Sequence, residues 1–125
     1  MLIGGLVASV QVVGMAGALA GPWEDGMAAY NRADYVPAIR LFRPLAEAGN
    51  PKAQSVLGSM YRSGQGVARN SARAFMWLSV AAKRGDPKAK AGLREVSQTM
   101  TPAEISTARA MAQACEASGY RSCEY

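Results

Sequence analysis

The 125-residue chain contains no histidine. Ser-His-Asp and Cys-His catalysis are therefore closed to it, as are the commonest zinc and iron ligand sets. Ser-x-x-Lys, the spacing that arms the serine of penicillin-recognising enzymes, is also missing. Gly64-x-Gly66 follows helical rather than strand patterning, and no Lys-Ser or Lys-Thr comes after it, so it is no phosphate loop. Acid/base chemistry would fall to Glu24 with Asp25, or to Glu95 alone. The first two sit where a helix N-terminus attracts carboxylates, and Glu95 reads as a surface charge. No metal, cofactor or catalytic residue is expected.

Long apolar runs are scarce as well. There is one, residues 2–20, without a charged side chain and dense in Gly and Ala towards its end. Ala18-Leu19-Ala20 is a small-x-small triplet before Gly21, and it reads as an export signal cleaved after residue 20. The usual basic start is absent, so the alternatives are a start further upstream or an uncleaved anchor, since about 20 apolar residues can span a bilayer. No cysteine follows the triplet, which speaks against a lipid anchor. A periplasmic or secreted protein is the expectation. The only two cysteines, Cys115 and Cys123, fit it. They lack the C-x-x-C spacing of redox pairs, and an oxidising compartment would join them. Closing so short a ring contributes on the order of 2–3 kcal/mol.

Charge of either sign is never concentrated. The formal net charge is +5, but no run of five basic residues occurs. A nucleic-acid surface would need a denser basic stripe interleaved with aromatics, so nucleic acid is not expected as a partner. A spread positive balance favours an acidic peptide or an anionic envelope polymer.

What the chain does have is punctuation. Gly21-Pro22 opens a helix to about Asn31, and Asp34 starts a second, stopped by Gly49. Asn50-Pro51 opens a third through Val56, Leu57, Met60 and Tyr61. After the loop 63–69, Asn70 caps a fourth helix, with Ala74, Phe75, Trp77, Leu78 and Ala81 inward and Gly85 as its stop. Asp86-Pro87 opens a fifth, and the capping box Thr101-Pro102-Ala103-Glu104 a sixth, to about Ser118. Strand-type alternation is missing throughout. The expected fold is all-α.

A second regularity sets the architecture. Ala48-Gly49-Asn50-Pro51-Lys52-Ala53 returns as Arg84-Gly85-Asp86-Pro87-Lys88-Ala89, 36 residues on. Ala38 and Ala74, Ala46 and Ala82, and Leu57 and Leu93 extend the match. Fixed-period self-similarity marks stacked units that bury their apolar faces on one another. The expectation is an α-solenoid of three antiparallel helix pairs over residues 21–118, in units of about 22–49, 50–85 and 86–118. Residues 119–125 form a tail tied back by the disulfide.

The middle unit has the order Ala53, Leu57-Gly58, Tyr61, Gly64-x-Gly66-Val67, Asn70, Ala74, Trp77, Ala81-Ala82, Gly85. This resembles the Sel1-like repeat, a relative of the tetratricopeptide repeat with a longer, glycine-containing loop between its helices. Gly58 and Ala74 let two helices approach closely, and Gly64 and Gly66 permit backbone angles that a tight loop needs. The first unit, with Gly26, Ala29-Tyr30, Ala33-Asp34-Tyr35 and Ala38, looks more like a plain tetratricopeptide repeat. The third keeps Ala89 and Leu93 but has Arg94 where the middle unit has Gly58.

The resemblance implies a groove lined by the first helix of each pair. By position it takes Trp23, Met27, Tyr30 and Asn31 from the first unit, and Ser55, Ser59 and Arg62 from the second. Ala91, Glu95 and Gln98 come from the third. Trp, Tyr and Arg are the side chains that most often carry binding energy. Packing competes as a role for Trp23 and Tyr30, while Trp77, Phe75 and Phe42 belong to the core. The expected function is a non-catalytic protein- or peptide-binding adaptor of the bacterial cell envelope. The resemblance implies envelope regulation, secretion, motility or host contact without choosing among them. Two rivals stand beside it: an enzyme acting on peptidoglycan or on β-lactams, and a structural subunit of an envelope complex. Some relatives have been linked to β-lactam binding, to which this sequence, lacking Ser-x-x-Lys, gives no support.

Overall fold

The computed structural model describes residues 20–124. The export-signal or anchor reading of residues 1–20 lies outside them except for Ala20. Six helices follow in order: α1 (Pro22–Asn31), α2 (Tyr35–Glu47), α3 (Pro51–Ser63), α4 (Ser71–Lys83), α5 (Pro87–Ser97) and α6 (Pro102–Ala117). Among the described residues there is no strand, and no helix is long and apolar enough to cross a membrane. The fold is an all-helical array of the α-solenoid type.

Helix starts obey local chemistry. The Asn50 side chain accepts from the Lys52 and Ala53 amides at 3.0 and 3.2 Å. Asp86 does the same for Ala89 at 2.8 Å, and Asn70 for Arg73 at 3.0 Å. Thr101 and Glu104 form the reciprocal box. Each cap satisfies a backbone donor that the helix leaves orphaned, and contributes about 1 kcal/mol. Asp34 is the exception: it stands before α2 but makes no side-chain capping bond. The repeated hexapeptide is also a repeat in backbone angle, with φ of +93° at Gly49 and +92° at Gly85.

α4 is the hub. It packs on α3, α5 and α6 and buries Ala74, Phe75, Met76, Trp77, Leu78, Val80 and Ala81. An amphipathic helix shows one apolar stripe, whereas a helix covered on several sides is apolar nearly all round. Met76 and Val80 therefore join the inward set expected from the sequence. Phe42, also fully buried, anchors α2.

How closely the pairs close depends on small residues. A Cβ added at Gly58 would lie 2.8 Å from Leu78 Cγ and 3.2 Å from the Ala74 carbonyl oxygen. Only glycine lets α3 and α4 sit at this separation. The interhelical loop that follows, with Gly64 and Gly66 at φ +71° and +73°, folds onto the first pair. A Cβ at Gly66 would come within 2.8 Å of the Tyr35 backbone. The last two helices behave differently. α5 and α6 hardly touch each other and pack instead on α4, with a cleft of about 400 Å³ between them lined by Arg94, Arg109, Leu93 and Ile105. The third pair is thus splayed over the hub.

The disulfide Cys115–Cys123 closes the chain's end, and both cysteines are buried. It turns residues after α6 back across the array, so that Tyr120 lies beside Gly49 in the turn between α2 and α3. The Arg84 guanidinium donates to the Gly49 carbonyl at 2.7 Å, joining two equivalent turns.

Candidate functional site

α1, α3 and α5, the first helix of each pair, all contribute side chains to one opening. Between them lies an open pocket of about 370 Å³ lined by Trp23 and Met27 from α1, Lys52, Ser55 and Val56 from α3, and Pro87 and Lys88 from α5, with Asp86 at its edge. The sequence repeat explains the convergence. Pro51-Lys52 and Pro87-Lys88 occupy the same register of successive units, so stacking brings the two lysines to one mouth.

The floor is apolar and aromatic. Trp23 is half-buried and inclined against Phe42, ring centroids 5.3 Å apart, so its packing role and its exposed face coexist. Met27 and Val56 complete the floor. Ser55 is 5 % exposed and presents only a sliver to the pocket. At the rim Lys52 and Lys88 are exposed, and among the described residues neither forms an ion pair. The Asp86 carboxylate is engaged in capping α5. A lined cavity of this size accepts one or two side chains. Its chemistry suits an apolar group carried next to a carboxylate.

The structure brings Trp23, Met27 and Ser55 together and disperses the other candidates. Tyr30 packs edge-on against Tyr35, centroids 5.4 Å apart, and Asn31 is exposed at the end of α1. Ser59 is half-buried along α3. Arg62 and Glu95 pair with each other across α3 and α5, a surface bridge of about 1 kcal/mol or less. Gln98 lines the cleft between α5 and α6 instead. Position-by-position transfer of a groove pattern missed Lys52, Val56, Asp86, Pro87 and Lys88. The signal for four of them was in hand, because they belong to the repeated hexapeptide itself.

The family model of the Sel1 repeat matches residues 51–86. That interval is α3, the glycine loop, α4 and the cap of α5. Sel1 repeats generally mediate protein–protein interaction and are generally non-catalytic scaffolds. No curated protein matches the chain.

Proposed function

We propose that this chain, a Sel1-repeat protein, is a non-catalytic adaptor of the bacterial cell envelope that holds an acidic protein or peptide segment in its concave pocket. One observation carries the reading: two exposed lysines at equivalent repeat positions, neither in an ion pair among the described residues, flank a floor of Trp23, Met27 and Val56. A partner segment that places an apolar side chain beside an Asp or Glu satisfies both parts at once, with the aromatic anchor giving affinity and the lysines orientation. An anionic envelope polymer would use the same lysines but not the aromatic floor. The buried disulfide accords with an oxidising compartment, which supports the export reading.

The test is affinity capture from the native envelope with the full chain and with Trp23→Ala and Lys52→Glu/Lys88→Glu. The expected result is a protein captured by the wild type and lost from both variants, whose helical signal stays near wild type. Capture that survives both variants overturns the pocket assignment. Turnover of muropeptides or β-lactams by the purified chain would favour the enzyme reading instead.

A further inference from the structure

A second polar site lies on another face of the array. Tyr61 is six residues beyond Ser55 on α3, about 120° round the helix and about 9 Å along it. Just past the disulfide, Glu124 inserts its carboxylate there. Its Oε1 accepts from the Tyr61 hydroxyl at 2.6 Å and from the Trp77 indole N–H at 3.0 Å. Oε2 lies 3.0 Å from Arg43 Nε, although that N–H is not aligned for a hydrogen bond, so the contact is an ion pair. Arg43 also donates to the Tyr61 hydroxyl at 3.1 Å. Arg73 donates to the Glu124 main-chain carbonyl at 3.0 Å, with its guanidinium 5.8 Å from the Tyr61 ring centroid.

The four donors come from α2, α3 and α4, and the acceptor comes from outside the helices. Trp77 and Tyr61 are buried. Among the described residues, no side chain of α1–α6 offers an acceptor to the Trp77 indole or a carboxylate to this cluster. A buried donor without a partner costs about 1–3 kcal/mol. The helices alone therefore present an unsatisfied, positively charged recess whose requirement is a carboxylate. The recess is open to its surroundings, the Arg43 side chain being 38 % exposed and Glu124 14 %.

We propose that Arg43, Tyr61, Arg73 and Trp77 form a receptor for a carboxylate side chain of an acidic peptide from a protein partner, and that the chain occupies it with its own Glu124 while Cys115–Cys123 is closed. The bond makes the internal ligand a tethered one, present at high effective concentration and in one geometry. A dithiol reductant releases it: a thiolate attacks the disulfide, the two cysteines gain two electrons and two protons, and the dithiol leaves as its cyclic disulfide. The loosened tail then competes as a flexible segment, and a partner's carboxylate displaces it. This site shares no residue with the concave pocket and stands or falls separately.

The test uses the full chain and the indole N–H resonances of its two tryptophans, Trp23 serving as internal reference. The probe is an acetylated, amidated peptide Arg-Ser-Ser-Glu-Tyr, with a counterpart in which Gln replaces Glu. Glu124→Ala, which keeps the disulfide, should move the Trp77 resonance and spare that of Trp23. The Glu peptide should return the Trp77 resonance towards its wild-type position, and the Gln peptide should need about tenfold more or higher, as loss of a charge-assisted bond implies. Response to the Glu peptide should rise from oxidised wild type through dithiol-reduced wild type to Glu124→Ala. Lys52→Glu should change none of this. Three results overturn the proposal: a Trp77 resonance unmoved in Glu124→Ala, equal titration by both peptides, or an oxidised wild type that responds as well as the variant.

Discussion

The first helices of the middle and last pairs share the Pro-Lys-Ala opening and the leucine of Leu57 and Leu93, yet one pair is closed and the other open. In α3–α4 the contact is made at Gly58, where even a methyl group would press on Leu78. In α5–α6 the equivalent residue is Arg94, which with Arg109 lines the cleft between the two helices. A long charged side chain holds axes apart, and two like charges across one cleft oppose closure further. The comparison teaches that the repeat specifies helices and their order. Whether a pair closes depends on the residues at its contact, Gly58 against Leu78 in one and Arg94 with Arg109 in the other.

The sharpest way to break the comparison is to transplant the difference. Gly58→Arg should cost about 3 kcal/mol or more, because it overpacks the hub and forces a charge against Leu78. Thermal unfolding followed by circular dichroism reads it, and a melting point equal to wild type would refute the account. Next in size, Cys115→Ser/Cys123→Ser should lose about 2.5 kcal/mol from the short ring's closure entropy, measured by urea denaturation against the oxidised chain. The bond ties α6 to the tail and not to α5, so this loss reads the tail's attachment rather than closure of the last pair. Third, Asn50→Ala and Asp86→Ala should each lose about 1 kcal/mol, seen as a lower urea midpoint with an unchanged slope. A neutral result at Asp86 would mean that α5 depends on its packing against α4 rather than on its cap. Smaller again, Arg94→Ala should shift stability by about 0.5 kcal/mol or less, since the pair is already open and the residue exposed. A large stabilisation would instead mean that Arg94 alone props the helices apart.

The last effect appears only in alkali and belongs to the closed pair. Burial first, and then the hydrogen bond to Glu124 and that carboxylate's charge, raise the Tyr61 hydroxyl above its ordinary 10.0, with Arg43 pulling the other way. The native state then keeps a proton that the unfolded chain has released. Its contribution is complete below pH 10 and is lost as pH rises through the folded value. Stability measured upward from pH 9 should fall in the wild type and fall less steeply in Glu124→Ala.

Helix positions were legible because their causes are local. Asn50, Asn70, Asp86 and Thr101 each satisfy amides two or three residues ahead, and the prolines after Asn50, Asp86 and Thr101 cannot sit deeper in a helix. The apolar spacing placed Phe42, Phe75 and Trp77 in the core for the same reason. The site was legible in part. The groove positions include Trp23, Met27 and Ser55, which line one pocket, whereas the pairing of Arg62 with Glu95 requires knowing that α3 and α5 lie side by side. Lys52 and Lys88 went unnoticed as a pair because they are 36 residues apart and meet only when the units stack. Glu124 is the extreme case: its partners stand between 47 and 81 residues back, and nothing near it in the chain points to them.

Sequence by itself determined the six helices, their caps, the period of the array and the nature of its middle unit, since all of these rest on interactions within a few residues or on a fixed repeat. Only the tertiary structure decided that α4 is the hub, that α5 and α6 stay apart, that two lysines share one mouth, and that the tail's carboxylate lodges between Tyr61 and Trp77. Those outcomes depend on which surfaces touch, and contact between distant segments is set by packing volume and charge across the whole fold.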